Sequence, residues 1–167
     1  MNPKVASILE NADLRHLKPE ELAAMSQYVN SMPARLEAYR SLREHELEIM
    51  QWVAEQLQAE MPVEPVENLE RSIKNALLML RCCAMAMLLN DESFVHTRLV
   101  TWLAPRVTAY NSQNIDSTLY GLMNHRLNQV LGSDRMAVLT PLLTYAQTAL
   151  PTAQPTAAVE GEVAIGW

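Results

Sequence analysis

Glycine is nearly missing from this sequence, with only 4 in 167 residues and two of those in the last seven. The phosphate-cradling glycine loops and the strained nucleophile elbow both need clustered glycines, and no GxxxxGK[ST] or GxSxG run occurs. Enzyme classes built on those loops are excluded. Basic clusters are absent too: 13 Lys and Arg face 19 Asp and Glu, giving a net charge of -6. Counterion release from nucleic acid or anionic lipid needs grouped cations, so neither is an expected partner. The longest apolar run, Ala76 to Leu89, is 14 residues interrupted by Arg81, whereas a bilayer span takes about 20. It reads as a buried helix. The start, MNPKVASILENAD, has no basic stretch followed by an apolar one, so no export signal is read and a cytoplasmic protein is expected. The two cysteines, Cys82 and Cys83, are adjacent in the apolar run. Neighbours on a helix point about 100° apart, which suits neither a disulfide nor shared metal ligation.

What remains is rich in Leu, Ala, Met, Glu and Gln, the residues of highest helix propensity. One all-α domain over residues 1–150 is expected, with a tail over 151–167. A short helix runs from Lys4 to Ala12, with Val5, Ile8 and Leu9 as its apolar stripe. Pro19, with Glu20 and Glu21 against the amino-terminal dipole, opens a helix to about Asn30. Ser31-Met32-Pro33 is read as a restart. The helix after it places Leu36, Tyr39, Leu42, Leu47, Met50, Val53 and Leu57 inward, and Glu44, Glu46 and Glu48 in water, with a break near Ser41.

Pro62 and Pro65 end that element, because each proline removes a donor and disfavours helix at the residue before it. A helix from near Asn68 to Asn90 follows. Asp91 caps the next one, which carries Val95, Leu99, Trp102, Leu103 and Val107 and is bent by Pro105. Helices over Ile115 to Leu131 and Arg135 to Leu150 complete the domain, the last capped by Ser133 or Asp134. The tail is rich in Pro, Thr and Ala, and ends in the apolar peptide Val163-Ala164-Ile165-Gly166-Trp167. Such a peptide suits docking on another protein or folding back on this one, with an inert terminus as the plain alternative.

Catalytic signals are sparse. His16, His45, His96 and His125 lie on separate segments and never reach the i, i+4 spacing that places two imidazoles on one helical face, so no metal site is expected. A heme held by a single histidine stays open. Glu44 and Glu48 carry out acid and base chemistry only if burial separates their pKa values, and the REHELE context favours solvation. Arg81 stands out because its guanidinium cannot lose its proton. The apolar helix must bring it an acceptor, let it emerge at an interface, or let it snorkel to water.

The segment SILENADLRHLKPEELAAMSQYV resembles the amino-terminal helical hairpin of the phycobiliproteins, the subunits of allophycocyanin and phycocyanin. NSMPARLEAYRSL is similar to the long helix that follows it, and LLMLRCCAMAMLLNDES to the family's central helix, with Asp91 ten residues after Arg81 as in that family. The resemblance covers roughly residues 1–150. It implies a globin-like, phycocyanin-like fold with an N-terminal hairpin that clasps a second subunit, in a phycobilisome component of a cyanobacterium. Asp13 and Arg81 stand where the family pairs an aspartate and an arginine across the subunit boundary. His16, in the hairpin, and Trp167, at the tail, join them as expected partner-binding residues.

The family's pigment chemistry fails by the same alignment. Where the family has a thioether-forming cysteine, an arginine and a pyrrole-gripping aspartate, this chain has Ser72, Lys74 and Asn75. No covalent bilin is therefore expected, and the site is vestigial. The resemblance implies no enzymatic activity but a scaffolding, assembly or regulatory role. Partners would be a second copy, another phycobiliprotein-like subunit, or a photosynthetic complex at the thylakoid surface. The alternative is a noncovalent bilin or heme carrier with Cys82, Cys83, His96 and Trp102 lining a remodelled cavity.

Overall fold

A computed structural model describes residues 2–12 and 15–152, with the side chain of Thr152 left aside. Described elements are helical throughout: α1 (Pro3–Ala12), α2 (Pro19–Glu60), α3 (Val66–Leu89), α4 (Ser93–Val95), α5 (Thr101–Tyr110), α6 (Gln113–Leu131) and α7 (Ser133–Thr152). A π-helical turn, His96–Val100, joins α4 to α5. Asn2 starts α1 by accepting the backbone N–H of Lys4 at 2.9 Å through its side-chain oxygen, with Pro3 at the first helical position. Its side-chain amide donates to the Asn90 carbonyl at 2.7 Å, tying the hairpin to the end of α3. At the start of α2, Glu21 reaches back to the Lys18 N–H at 2.8 Å and pairs with Arg15. The Arg15 hydrogen bonds, then the Lys18 N–H, pull its carboxyl down to about 2.

One core joins α2, α3 and α5 to α7, with Leu42, Ile49, Leu57, Met79, Leu80, Leu103, Leu119, Met123, Leu127, Leu139 and Leu143 fully buried. Helix α3 is long and apolar enough to cross a membrane by composition alone. Here its buried face, with Ala76, Met79, Leu80, Cys83 and Met87, is part of the core cluster that also takes in α2 and α7. Asn90 and Asn111 take left-handed backbone conformations, φ 54° and 48°, and close α3 and α5. Gly132 at φ 78° makes the turn into α7, a conformation that L side chains rarely adopt.

Several expectations change. Ser31-Met32-Pro33 does not restart a helix, and nothing breaks at Ser41, because α2 runs unbroken over 42 residues. Pro33 leaves the Val29 carbonyl without its helical donor, yet the helix continues, and Arg35 two residues on ties this part of α2 to α3. Its guanidinium donates to the Tyr28 carbonyl one turn before the proline and to the Leu88 carbonyl on α3. Leu36 and Leu47, expected inside, are exposed, and Leu47 retains 72% of its surface in water. Glu46, expected in water, is buried. Trp102 lies half-exposed, with the Arg106 guanidinium 4.0 Å over its ring. Pro105 sits inside α5, and the departure from α geometry is the π turn preceding it.

Candidate functional site: the face of α2 and α3

Arg81 is the residue around which this face is organised. It sits at mid-helix in α3 but emerges from the core with 51% of its side chain exposed, so it is not the buried arginine that its apolar context suggests. Its acceptor comes from the same chain. Glu46 on α2 takes Nε at 2.7 Å and Nη2 at 3.0 Å, a planar two-bond fork. Arg43 adds a third contact to Glu46 at 2.9 Å. Two hydrogen bonds from Arg81 hold the Glu46 carboxyl below the usual carboxylate range, against an opposing push from burial. Around the pair, Tyr39 and Arg43 of α2 and Met85 of α3 line a shallow cleft of about 260 Å³.

A second apolar stripe runs along α2 beside this cleft. Leu22, Met25, Val29, Met32, Leu36 and Leu47 recur at spacings of three, four and eleven, and at 100° per residue they fall within an arc of about 80°. Val29 keeps 59% of its surface exposed, Leu22 51%, Met32 41% and Leu36 36%. On the neighbouring α3, Leu78 and Met85 bracket Arg81 and are also exposed. Residues 19–34 contribute no buried side chain at all. From Leu22 to Leu36 the strip is apolar, and Arg40 and Arg43 interrupt the same arc before Leu47; an apolar patch edged by charge is the composition of an association surface.

The hairpin residues divide. Asp13 lies outside the described residues, as does Trp167, and His16 is exposed in the connector before α2. The vestigial pigment residues do not form one cluster. Ser72 is buried, Asn75 is half-buried, and Lys74 points outward to Glu70 at 3.5 Å. The four residues of the remodelled-cavity reading are also dispersed. Cys83 is in the core with its thiol 3.5 Å from the Leu142 carbonyl, and burial pushes it up to about 12. Cys82 is half-buried, and its thiol too is raised by burial. His96 is exposed and 3.1 Å from the Tyr145 hydroxyl, while Trp102 carries Arg106 on its ring. The histidines remain apart: His45 meets the Ser41 carbonyl at 2.8 Å, and His125 meets Gln129 at 2.9 Å.

Sequence reasoning missed Glu46 and the outer stripe. The stripe had a readable signal, the three-and-four spacing from Leu22 to Leu36, which was divided between two helices by the reading of Pro33. Glu46 had none, because its role depends on α3 crossing α2 at Arg81.

Among curated proteins, none matches the chain. A family model described as phycobilisome protein matches residues 8–150, from the second half of α1 through most of α7. Proteins of that family assemble with other phycobiliprotein subunits. On the agreement of this match with the all-helical architecture, the chain belongs to the phycobilisome protein family.

Proposed function

We propose that this chain is a pigment-free phycobilisome subunit that works by protein contact, clasping another phycobiliprotein-like subunit through the outer face of α2 and α3 in assembly, scaffolding or regulation. The observation that carries the reading is the outer stripe itself: Leu22, Val29, Met32 and Leu36 stand exposed at helical spacing on one face of one helix. Covering such side chains contributes roughly 1.5–3 kcal/mol each at full burial. Arg81, half-exposed beside the stripe, keeps N–H groups for an acceptor on the partner, and Asp13 of that partner is the candidate the family resemblance supplies.

Loss of pigment rests on chemistry at α3. Serine forms no thioether, an amide at Asn75 cannot neutralise a protonated tetrapyrrole, and Ser72 is directed into the core. No nucleophile and base stand together in the resulting reading, which is a binding role and not a catalytic one. It is also compatible with residence at the thylakoid surface alongside the light-harvesting apparatus.

The test is co-expression of the tagged full chain with allophycocyanin and phycocyanin subunits, followed by affinity recovery and mass determination by light scattering. Recovery of a defined complex that Val29→Glu with Met32→Glu abolishes supports the proposal. A wild-type chain that stays monomeric and recovers no subunit refutes it. A stable visible band from a tetrapyrrole in the protein purified from bilin-producing cells refutes the pigment-free part separately.

A further inference from the structure

From Ser93 to Ile115 the sequence holds Arg98 and Arg106 but no Asp or Glu, in a chain whose net charge is -6. Arg98, Trp102, Arg106 and Tyr110 recur every four residues along the π turn and α5, the spacing that stacks side chains on one helical face. All four are exposed. Trp102 keeps 47% of its surface in water and Tyr110 56%. The Arg106 guanidinium lies 4.0 Å over the Trp102 ring. Arg71 of α3 lies 4.0 Å over the Tyr110 ring and donates to the Asn68 side chain at 3.2 Å. Neither Arg98 nor Arg106 meets a carboxylate among the described residues, where the ion pairs use other cations.

Tryptophan, tyrosine and arginine are the residue types that carry most of the binding energy in protein contacts, and exposed guanidinium groups without a carboxylate select an acidic partner. The same chain contains a segment of matching chemistry. Residues 153–167, outside the described ones, hold Glu160 and Glu162 and no Lys, Arg or His, with Val163, Ile165 and Trp167 beside the acids. That segment also departs from the right place. Pro151, near the end of α7, and Val107 of α5 line one cleft, so the chain leaves the described body beside the helix that carries the stripe. Glu160 is nine residues beyond Pro151. Those residues reach up to roughly 30 Å, against about 14 Å along the helix axis from Val107 back to Arg98.

We propose that the acidic, apolar segment 160–167 docks on the Arg98–Tyr110 stripe of its own chain, with its carboxylates on Arg98 and Arg106 and its apolar side chains against Trp102. Tethering makes this a contact that needs little intrinsic affinity, because a short linker supplies an effective concentration in the millimolar range. The stripe uses none of the residues of the outer α2 and α3 face, so this docking and the proposed subunit clasp stand or fall separately.

Two-dimensional NMR of the ¹⁵N-labelled full chain tests this, with the amides and the indole signals of Trp102 and Trp167 as reporters. Glu160→Lys with Glu162→Lys is expected to shift the signals of residues 98–110, and Arg98→Glu with Arg106→Glu those of residues 160–167. Each pair of substitutions lowers the ratio of docked to free segment at least about fivefold, as two exposed ion pairs of ordinary strength imply. Combining all four exchanges the charges and restores docking. If the arginine variant does not fold, raising salt from about 0.01 M to about 1 M on the unmodified chain carries the test, because it screens the same pairs and moves both sets of signals together. Signals of residues 98–110 that ignore the glutamate exchange, signals of residues 160–167 that ignore salt, or a four-substitution chain no better docked than either pair would each overturn the proposal. So would shifts that grow with protein concentration, which mark a second copy as the occupant.

Discussion

Replacing Glu46 with Gln removes one negative charge and turns one of two acceptor oxygens into a donor that faces the N–H groups of Arg81. Buried pairs cost roughly 3–5 kcal/mol when one partner is removed, and exposed pairs under about 1. Glu46 is sheltered, with 11% of its side chain exposed, but Arg81 and Arg43 are about half in water at 51% and 48%. Both cations can be re-solvated after the change, so the loss belongs toward the lower end, about 1–2 kcal/mol. For a domain of this size that is a fall of roughly 2–8 °C in melting temperature.

The pH dependence has a definite sign. The folded Glu46 carboxyl titrates below its unfolded value, so its contribution is fully present above the unfolded value near about 4.3 and disappears as pH falls through the lower folded value. Thermal melts followed by circular dichroism from pH 7 downward should therefore show the wild-type and Glu46→Gln curves separated at neutral pH and converging in acid. Repeating the series in Arg81→Met and in the double variant isolates the pair. A separation under about 0.5 kcal/mol at pH 7, or a gap that widens as the carboxylate protonates, would show that the fork does not hold α2 to α3.

Four further outcomes follow from the structure. Val29→Glu with Met32→Glu should leave the isolated chain within about 0.5 kcal/mol of wild type, since both positions are exposed, while abolishing subunit recovery. Alkylation of the native protein at pH 8 should spare Cys83, whose thiol burial pushes up to about 12, making it roughly a thousandfold slower than a free thiol; mass spectrometry of the modified peptide reads this out. Leu119→Ala, at a fully buried position on α6, should cost about 2–5 kcal/mol in urea unfolding. Ser72→Cys should bring no covalent pigment in bilin-producing cells, because the new thiol faces the packed core; an absorbance scan decides.

Periodicity made most helices legible. Asp91, Gly132 and the Pro62–Pro65 pair punctuate the chain where the structure turns, and the core stripe Leu42, Met50, Val53 and Leu57 was visible from spacing alone. Pro33 misled, because local propensity puts a break at an interior proline, whereas the helix here is held on both sides by tertiary contacts, among them the Arg35 hydrogen bond to the Leu88 carbonyl of α3. That support is tertiary and leaves no local trace. Leu36 and Leu47 went astray for a related reason: α2 carries two apolar stripes, one toward the core and one away from it, and a single period cannot say which is which. The candidate face was half readable. Arg81 announced itself as a charge in an apolar run, but its carboxylate lies 35 residues away in sequence. Arg35, with an unremarkable polar neighbourhood in the sequence, becomes conspicuous only when its surroundings are known.

Because α2 is one helix from Pro19 to Glu60, the portion over residues 19–34 stands about 24 Å along its axis before the first buried side chain. A rod of that kind does not swivel: whatever grips its outer end is held at a set angle to the rest of the molecule, and torque at the tip is delivered to Leu42, Ile49 and Val53 in the interior. Pro33 is the one rung missing from the ladder at the root of this lever, and Arg35 is the brace that stiffens it.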